Sequence, residues 1–314
     1  MRFCRFDEGR LGLVEGPSTP SHDRSLGASP IVKDVTAALD ALPSYRYPFP
    51  PHDVFIANID AVAARARTIA NSAPGIPLDR LSLLSPVANP GKIIAAPVNY
   101  EKHLNEVRSD VQLSASNPGN TLTIHKAGLF LKATSSLVGA GEGIVIRTPD
   151  RRTDHEVELV IVIGRTADRV SSADAMSCVA GYAIGLDISI RGSEDRSFRK
   201  SADSFSVVGP WLVTADEVPR PGALDLSLMV NGTIRQQSNT RHMILGVPQL
   251  IELASSIYTL YPGDLLFTGT PEGVSPIEAG DRISATIDGI GSMAVVTRAA
   301  DPVAAAVMTA PARA

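Results

Sequence analysis

A pair of acids that leads straight into an apolar run constrains this chain more than any other feature. Glu156 and Glu158 flank Val157, and residues 159–163 read Leu-Val-Ile-Val-Ile. Such a run predicts a strand that is buried on both faces. Side chains two apart on a strand point to the same side, about 7 Å from each other. Two carboxylates at the start of a buried strand repel each other and lose hydration, which is costly unless a cation neutralises them.

A hard divalent cation would solve this electrostatic problem, because Mg2+ prefers oxygen ligands. A third carboxylate, Asp187, is the one acid of a second predicted strand over residues 181–190. Serine and aspartate caps predict a short helix over residues 171–176, so a strand–helix–strand path can return Asp187 to the glutamates. The pattern therefore predicts a metal site of Glu156, Glu158 and Asp187. Two glutamates at an exposed strand end, without a metal, would show the same local pattern.

A candidate general base lies upstream of the acids. A predicted strand over 92–98 is followed by residues 99–107, which predict the first turns of a helix. On that helix His103 and Glu106 are three apart and share a face. A carboxylate beside an imidazole fixes its orientation and raises its basicity, although the same spacing fits an ordinary surface pair. The polar residues 108–128 that follow are either a lid that orders over substrate or an inert surface loop.

Three basic residues are candidates for binding an anionic substrate. Arg191 and Lys200 follow Asp187, and the second lies in a charged, serine-rich stretch over 194–205 that is typical of a solvated connection. Their position soon after the acidic strand favours contact with a substrate carboxylate. Lys132 is the last residue of a short predicted strand over residues 129–132, and we expect it to be buried.

Composition limits the class of protein. The 314 residues are 44% hydrophobic and 20% charged with a net charge of −4, which is typical of a soluble globular protein and unfavourable for a nucleic-acid partner. No apolar run approaches the roughly 18 residues of a membrane span. The amino end has no secretory apolar region. Cys4 and Cys178 have no metal or redox spacing, so we expect a cytoplasmic protein with no membrane partner.

The predicted organisation is α+β, mostly β. Residues 1–90 are predicted to form a small amino-terminal α/β domain, and residues 91–300 a catalytic domain. Asn231-Gly232 is a strong signal for a two-residue hairpin turn. Residues 301–314 are rich in alanine and proline and are predicted to be a flexible tail.

From about residue 92 to residue 298, the chain resembles the fumarylacetoacetate hydrolase superfamily. The matching segments are, in order, Asn99-Tyr100 with His103-x-x-Glu106; Phe130-Leu131-Lys132; His155-Glu156-Val157-Glu158-Leu159; Gly181-Tyr182 with Asp187; Arg196 to Ser201; Gly209-Pro210-Trp211; Asn231-Gly232; Pro262-Gly263-Asp264; and Thr268 to Val274. Each segment is weak alone, but their order and spacing together are specific. The resemblance implies a mixed β-roll, usually a homodimer, with Mg2+ or Mn2+ bound and Ca2+ possible in crystals.

The resemblance also implies roles for individual residues. The implied metal ligands are Glu156, Glu158 and Asp187, the catalytic residues His103, Glu106 and Lys200, and the substrate-binding residues Arg191, Thr270 and Lys132. One position departs from the family pattern. Family members often have an acid directly after the arginine that follows the metal aspartate, and this chain has Gly192 there.

The implied reaction is hydrolysis of a C–C bond in an acylpyruvate or β-diketo acid, such as fumarylacetoacetate or fumarylpyruvate. His103 would activate water, and the metal and Lys200 would stabilise the enolate that leaves. The alternative within enzymes is an isomerase or decarboxylase of unsaturated 2-oxo dicarboxylates, such as 2-hydroxyhepta-2,4-diene-1,7-dioate, in aromatic catabolism. Phosphate-ester hydrolysis is disfavoured because no phosphate-cradling loop is present. An inactive binding homologue is disfavoured by the complete set of base, acids and cations.

Overall fold

A computed structural model describes residues 1–17, 30–115 and 123–301. The strands are β1 (Arg2–Phe6), β2 (Arg10–Glu15), β3 (Ile31–Asp34), β4 (Gly75–Pro77), β5 (Leu83–Leu84), β6 (Ile93–Ala95), β7 (Phe130–Lys132), β8 (Leu137–Val138), β9 (Ile144–Ile146), β10 (Thr153–His155), β11 (Val157–Ile163), β12 (Val179–Asp187), β13 (Ser189–Ile190), β14 (Ser206–Thr214), β15 (Asp225–Val230), β16 (Thr233–Asn239), β17 (Leu265–Phe267), β18 (Ser275–Pro276), β19 (Arg282–Ile287) and β20 (Gly291–Ala299). The α-helices are α1 (Val54–Ala57), α2 (Ile59–Ala70), α3 (Glu101–Ser109), α4 (Val111–Ala115), α5 (Ile124–Ala127), α6 (Arg196–Lys200) and α7 (Val247–Ile257). Short 3-10 helices span Thr36–Ala41, Leu78–Arg80, Thr134–Ser136, Ala175–Cys178, Ala215–Glu217, Pro221–Ala223 and Thr240–His242.

The twenty strands of the described residues form three sheets. Among these residues the largest sheet has twelve strands, in the order β4-β3-β2-β1-β14-β12-β11-β17-β6-β7, with β5 on β1 and β8 on β14. A five-stranded sheet runs β16-β15-β19-β20-β9, and a three-stranded sheet runs β13-β10-β18. The described residues therefore form twenty strands and seven α-helices, which confirms the predicted α+β, mostly-β fold class.

Strand β11 lies in the interior of the large sheet, and it is buried along its whole length. It pairs antiparallel with β12 on one side and with β17 on the other. Leu159 and Ile161 pack into one apolar cluster, which includes Ile251 of α7 and Ile283 of β19. Val160 and Val162 pack into a second cluster on the opposite face. The prediction of a strand buried on both faces is therefore confirmed.

The leading residues extend the same sheet. β1 pairs antiparallel with β14, with Arg2 opposite Val213 and Phe3 opposite Leu212. Phe3 also packs edge-on against Phe55 of α1, with ring centroids 5.5 Å apart. The division of the chain near residue 90 stays a prediction, since strands from both sides of it share one sheet and one core.

Local predictions are borne out where the turn chemistry is strong. Asn231 and Gly232 both have positive φ, 50° and 79°, and join β15 to β16 as the expected hairpin. The helix expected over 171–176 begins only at Ala175, because the Ser171 hydroxyl donates locally to Asp174.

The expectation of a solvated connection over 194–205 is wrong for its centre. Helix α6 forms there, with the Asp195 carboxylate accepting a hydrogen bond from the Ser197 N–H as an N-cap. The helix buries Lys200 at its last position.

Two predicted segments fall partly outside the described residues: positions 116–122 of the polar stretch and the tail beyond 301. Within the described part of the chain, no helix is both long and apolar enough to cross a membrane. Cys4 and Cys178 are buried thiols, as expected for packing residues.

Candidate metal centre and active site

The three predicted metal ligands meet where β11 begins and β12 ends. The two strands are antiparallel neighbours, and the Asp187 N–H donates to the Glu156 carbonyl oxygen at 2.9 Å. One carboxylate oxygen each from Glu156, Glu158 and Asp187 lies within 4.8 Å of the others. All three side chains are buried. The period-two alternation of β11 therefore puts two acids on one side, and the neighbouring strand supplies the third.

The surroundings shift the pKa values of Glu156 and Glu158 in opposite directions. Burial raises the pKa of Glu158, and the charges of Asp187 and Glu156 raise it further. Burial acts in the same direction on Glu156, but Lys200 and Arg191 outweigh it and hold its pKa well below the usual range. The charge of Lys200 and a hydrogen bond from the Gly269 N–H, at 2.6 Å, oppose the rise at Glu158 without cancelling it. A divalent ion fits this donor set, because every donor is a carboxylate oxygen and repulsion from the other two acids raises the pKa of Glu158.

Lysines bracket Asp187. The Lys200 ammonium donates to Oε2 of Glu156 and Oδ2 of Asp187, each at 2.7 Å, and to the Ser189 hydroxyl. Lys132 donates to the other oxygen of Asp187 and to the Phe205 carbonyl oxygen. Burial lowers the pKa of Lys132, and the charge of Asp187 opposes that effect.

Arg191 is bound between two acids. Its Nε donates to Asp154 and its Nη2 to Glu156, both at 2.8 Å. Burial lowers the pKa of Arg191, but the charges of Glu156 and Asp154 outweigh it and the net pKa is raised. Arg191 therefore orients the Glu156 carboxylate, in addition to lining the cavity.

His103 and Glu106 form the predicted pair on α3. Nδ1 of His103 lies 2.7 Å from Oε2 of Glu106, and the imidazole is 6% exposed. Oε1 of Glu106 accepts a hydrogen bond from the Gly273 N–H at 2.9 Å. Because the carboxylate takes Nδ1–H, Nε2 is the nitrogen without a proton and can act as a base.

One cavity of about 30 Å³ unites most of these groups. Its wall includes His103, Phe130, Glu156, Glu158, Asp187, Arg191, Arg196, Lys200 and Thr270. The other two predicted residues do not line the cavity but bond to residues that do: Glu106 to His103, and Lys132 to Asp187. The sequence thus identified groups that the fold does bring together.

Thr270 reaches the wall in an unexpected way. Its hydroxyl donates to the Val157 carbonyl oxygen at 2.9 Å and accepts from Nε2 of Gln236 at 2.8 Å. The hydroxyl proton is therefore committed to the protein backbone. The hydroxyl therefore cannot donate to a substrate, and the contact implied by the resemblance would have to involve other atoms of Thr270.

Sequence reasoning missed four residues at the site. They are Asp154, Ser189, Arg196 and Gln236. Ser189 stands two positions after Asp187 in an extended segment, so strand alternation could have found it. Gln236 had no comparable signal, because it lies in a hairpin strand whose neighbours are exposed.

An ion pair lies beside Gly192, the departure from the family pattern. A Cβ at Gly192 would lie 2.1 Å from Nη2 of Arg151 and 2.3 Å from Oε2 of Glu194. Arg151 and Glu194 form two hydrogen bonds of 2.8 Å over this glycine. The space that an acid would use is therefore filled by another carboxylate and its arginine.

Comparisons with known proteins agree with this geometry. The model of the fumarylacetoacetate (FAA) hydrolase C-terminal family matches residues 92–297. Maleylpyruvate hydrolase of Aquipseudomonas alcaligenes is 53% identical over 298 residues, which cover 95% of this chain and 99% of that protein. The chain therefore belongs to the fumarylacetoacetate hydrolase family.

Solved structures give the same picture. Maleylpyruvate hydrolase from Sphingobium sp. SYK-6, in complex with manganese (II) ion and pyruvate, is similar with a TM-score of 0.77 and 39% identity, covering 96% of this chain and 100% of that one. The 2-hydroxyhepta-2,4-diene-1,7-dioate isomerase from Mycobacterium marinum has a TM-score of 0.66 and 29% identity, covering 95% and 98%. The predictions of a metal-dependent hydrolase and of a divalent-metal cofactor are confirmed, and the isomerases are more distant relatives.

Proposed function

We propose that this enzyme hydrolyses maleylpyruvate, or an acylpyruvate that closely resembles it, to pyruvate and a carboxylic acid. One observation carries the proposal: His103, bonded to Glu106 behind it, and three buried carboxylates face a single cavity. The 53% identity to a maleylpyruvate hydrolase supports this choice of substrate.

Metal binding is assigned to Glu156, Glu158 and Asp187. When bound, Mg2+ or Mn2+ supplies Lewis-acid stabilisation of negative charge on a 2-oxo acid. Arg191 holds Glu156 in place, and Ser189 donates to the same carboxylate at 3.0 Å. These contacts leave the ligand set little freedom to rearrange between turnovers.

His103 is assigned the proton transfer. Nε2 takes a proton from a water molecule, whose oxygen forms a bond to the acyl carbonyl carbon. The bond between that carbon and the pyruvate methylene then breaks, and a proton returns to the methylene carbon. Glu106 stabilises the imidazolium formed in between, since it lies 2.7 Å from Nδ1.

Lys200 is assigned to charge stabilisation. Its ammonium lies between Glu156 and Asp187, beside the place where a chelating 2-oxo acid would bind. A fixed positive charge in a buried site stabilises the negative charge that the departing pyruvate unit takes on. Arg191 and Lys132 are assigned an indirect role in substrate binding. Arg191 holds Glu156 in place, and Lys132 holds Asp187.

The test is an assay of the purified chain on maleylpyruvate and fumarylpyruvate, with pyruvate release as the readout. We expect turnover that EDTA abolishes and that added Mn2+ or Mg2+ restores. The isomerase alternative, favoured by the Mycobacterium marinum relative, predicts conversion of an unsaturated 2-oxo dicarboxylate without pyruvate release. That result, with no hydrolysis of either acylpyruvate, would overturn the proposal.

We also infer that the enzyme is a cytoplasmic homodimer. Light scattering on the purified protein is expected to give twice the chain mass of 33.1 kDa. A mass equal to that of one chain would contradict the dimer.

A further inference from the structure

The two edges of β11 are held differently at Val157, the residue between the two metal-binding glutamates. One edge pairs with Leu186 of β12, and the other edge, on the side of β17, faces side chains. β17 pairs with β11 only through Val160 to Val162, so this edge of β11 has no strand partner at Val157. There the Val157 N–H donates to Oε1 of Gln236 at 3.0 Å. The Val157 carbonyl oxygen accepts from the Thr270 hydroxyl at 2.9 Å. On this one edge, side chains therefore take the place of a pairing strand at the residue between Glu156 and Glu158.

Gln236 and Thr270 are also bonded to each other. Nε2 of Gln236 donates to the Thr270 hydroxyl oxygen at 2.8 Å. The three hydrogen bonds close a cycle through Val157, Gln236 and Thr270, which we name the Gln236 ring. Each bond in such a cycle polarises the next, so the ring resists distortion more than three separate bonds would.

The direction of every bond in the ring is fixed by its partners. The Val157 N–H can only donate and its carbonyl oxygen can only accept, which sets the amide orientation of Gln236 and the hydroxyl direction of Thr270. The second proton of Nε2 goes to the Pro271 carbonyl oxygen at 2.8 Å. Oε1 also faces Nδ1 of His155 at 3.2 Å. Gln236 is fully buried, and all of its polar groups have partners.

We propose that Gln236 is a positioning residue for the metal centre. Through the ring it fixes the peptide that carries Glu156 and Glu158, and it holds Thr270 at the cavity wall. A rotation of the Val157 peptide would move both carboxylates at once, and a displacement of about 1 Å is enough to impair a site of this kind. This goes beyond the proposed function, and its test measures Mn2+ binding and does not need turnover.

The first test is titration calorimetry of Mn2+ alone into the purified full-length chain and its variants. Gln236→Met keeps the side-chain length but removes both amide groups, and Thr270→Val removes the hydroxyl at similar size. We expect each to weaken Mn2+ binding by about tenfold or more. Thr270→Ser restores the hydroxyl and should return the affinity to within about threefold of the parent.

The matched control is Gln237→Met, which makes the same change one residue along β16, where the side chain is exposed. It should leave Mn2+ affinity unchanged. The ring further predicts that Gln236→Met combined with Thr270→Val costs little more than either change alone, because one break opens the cycle.

Equal Mn2+ affinity in Gln236→Met, Thr270→Val and the control would overturn the proposal, as would full additivity of the two changes. If Gln236→Met does not fold, the Thr270→Val and Thr270→Ser pair decides, since loss with the first and recovery with the second requires the hydroxyl. A parent protein that binds Mn2+ but does not turn over maleylpyruvate would refute the proposed function and leave the calorimetric test intact.

Discussion

Glu106 bonds to His103 and to Gly273 at the same time. One carboxylate oxygen lies 2.7 Å from Nδ1 of the imidazole, and the other accepts the Gly273 N–H at 2.9 Å. The pair on α3 is therefore fastened to the loop that follows β17. The same loop donates the Gly269 N–H to Glu158 at 2.6 Å. Glu106 and Glu158 are thus both held by the loop over residues 268–274.

Removing the base and removing a metal ligand should have separable effects. We expect His103→Ala to lose most turnover, by about 100-fold or more, while Mn2+ still binds. Glu158→Ala should lose both, because the metal site then keeps only two carboxylates. Steady-state rates and Mn2+ calorimetry on both variants make the comparison. Retained turnover in His103→Ala would remove it from the mechanism.

Replacing Glu106 by its amide tests the tautomer of His103. In Glu106→Gln the amide can still accept the Gly273 N–H, but it presents an N–H group to Nδ1. The imidazole proton is then driven to Nε2, which can no longer accept a proton from water. We expect kcat to fall about 100-fold with Mn2+ affinity unchanged. A kcat within a few-fold of the parent would show that Glu106 is not needed to orient the base.

Gly273 should be the least replaceable glycine of this loop. Its φ is +97°, and an added Cβ would lie 2.0 Å from the Arg235 carbonyl oxygen. Gly280 has a similar φ of +99° but nothing within 4 Å of such a Cβ, so it is a matched control. We expect Gly280→Ala to cost about 1 kcal/mol of backbone strain, and Gly273→Ala to cost about 3 kcal/mol or more. Urea denaturation measures both, and equal costs would contradict the steric argument.

His155 should make stability dependent on pH. Burial lowers its pKa to about 4 from the ordinary 6.5, with Gln236 opposing the shift. The folded protein therefore binds fewer protons than the unfolded chain between these values, so stability is present above pH 6.5 and falls as the pH drops towards 4. From pH 7 to pH 5 the histidine should contribute a loss of about 2 kcal/mol.

Urea denaturation of the parent and of His155→Gln at the two pH values isolates this contribution. The variant lacks the titrating group, so its stability should fall by less over the same interval. An identical fall in both proteins would show that His155 is not buried in its neutral form.

The parts of the site that the sequence predicts are those with a local pattern. Glu156 and Glu158 are two apart before a buried run, and His103 and Glu106 are three apart on a helix. Period alone places each pair on one side of its element. Asp187 needed only the assumption that two strands are neighbours, which β11 and β12 satisfy.

What the sequence cannot reveal depends on contacts between distant segments. Gln236 and Thr270 are separated by 34 positions, and both reach Val157 from outside its strand. Nothing in the exposed neighbours of Gln236 indicates a buried amide. Helix α6 escaped prediction for another reason, since four of its five residues are charged or polar and a single phenylalanine shows no apolar period. Its stability comes from the buried Lys200 and the Asp195 cap.

The pairing of β1 with β14 has a practical consequence for anyone who shortens this protein. Cutting away the first ninety residues would strip the partner from Leu212 and Val213 and leave that border of the sheet bare. A bare border of this kind invites other chains to add their own strands. The portion that holds the metal-binding groups is therefore a poor choice for separate expression, even though all of those groups lie within it.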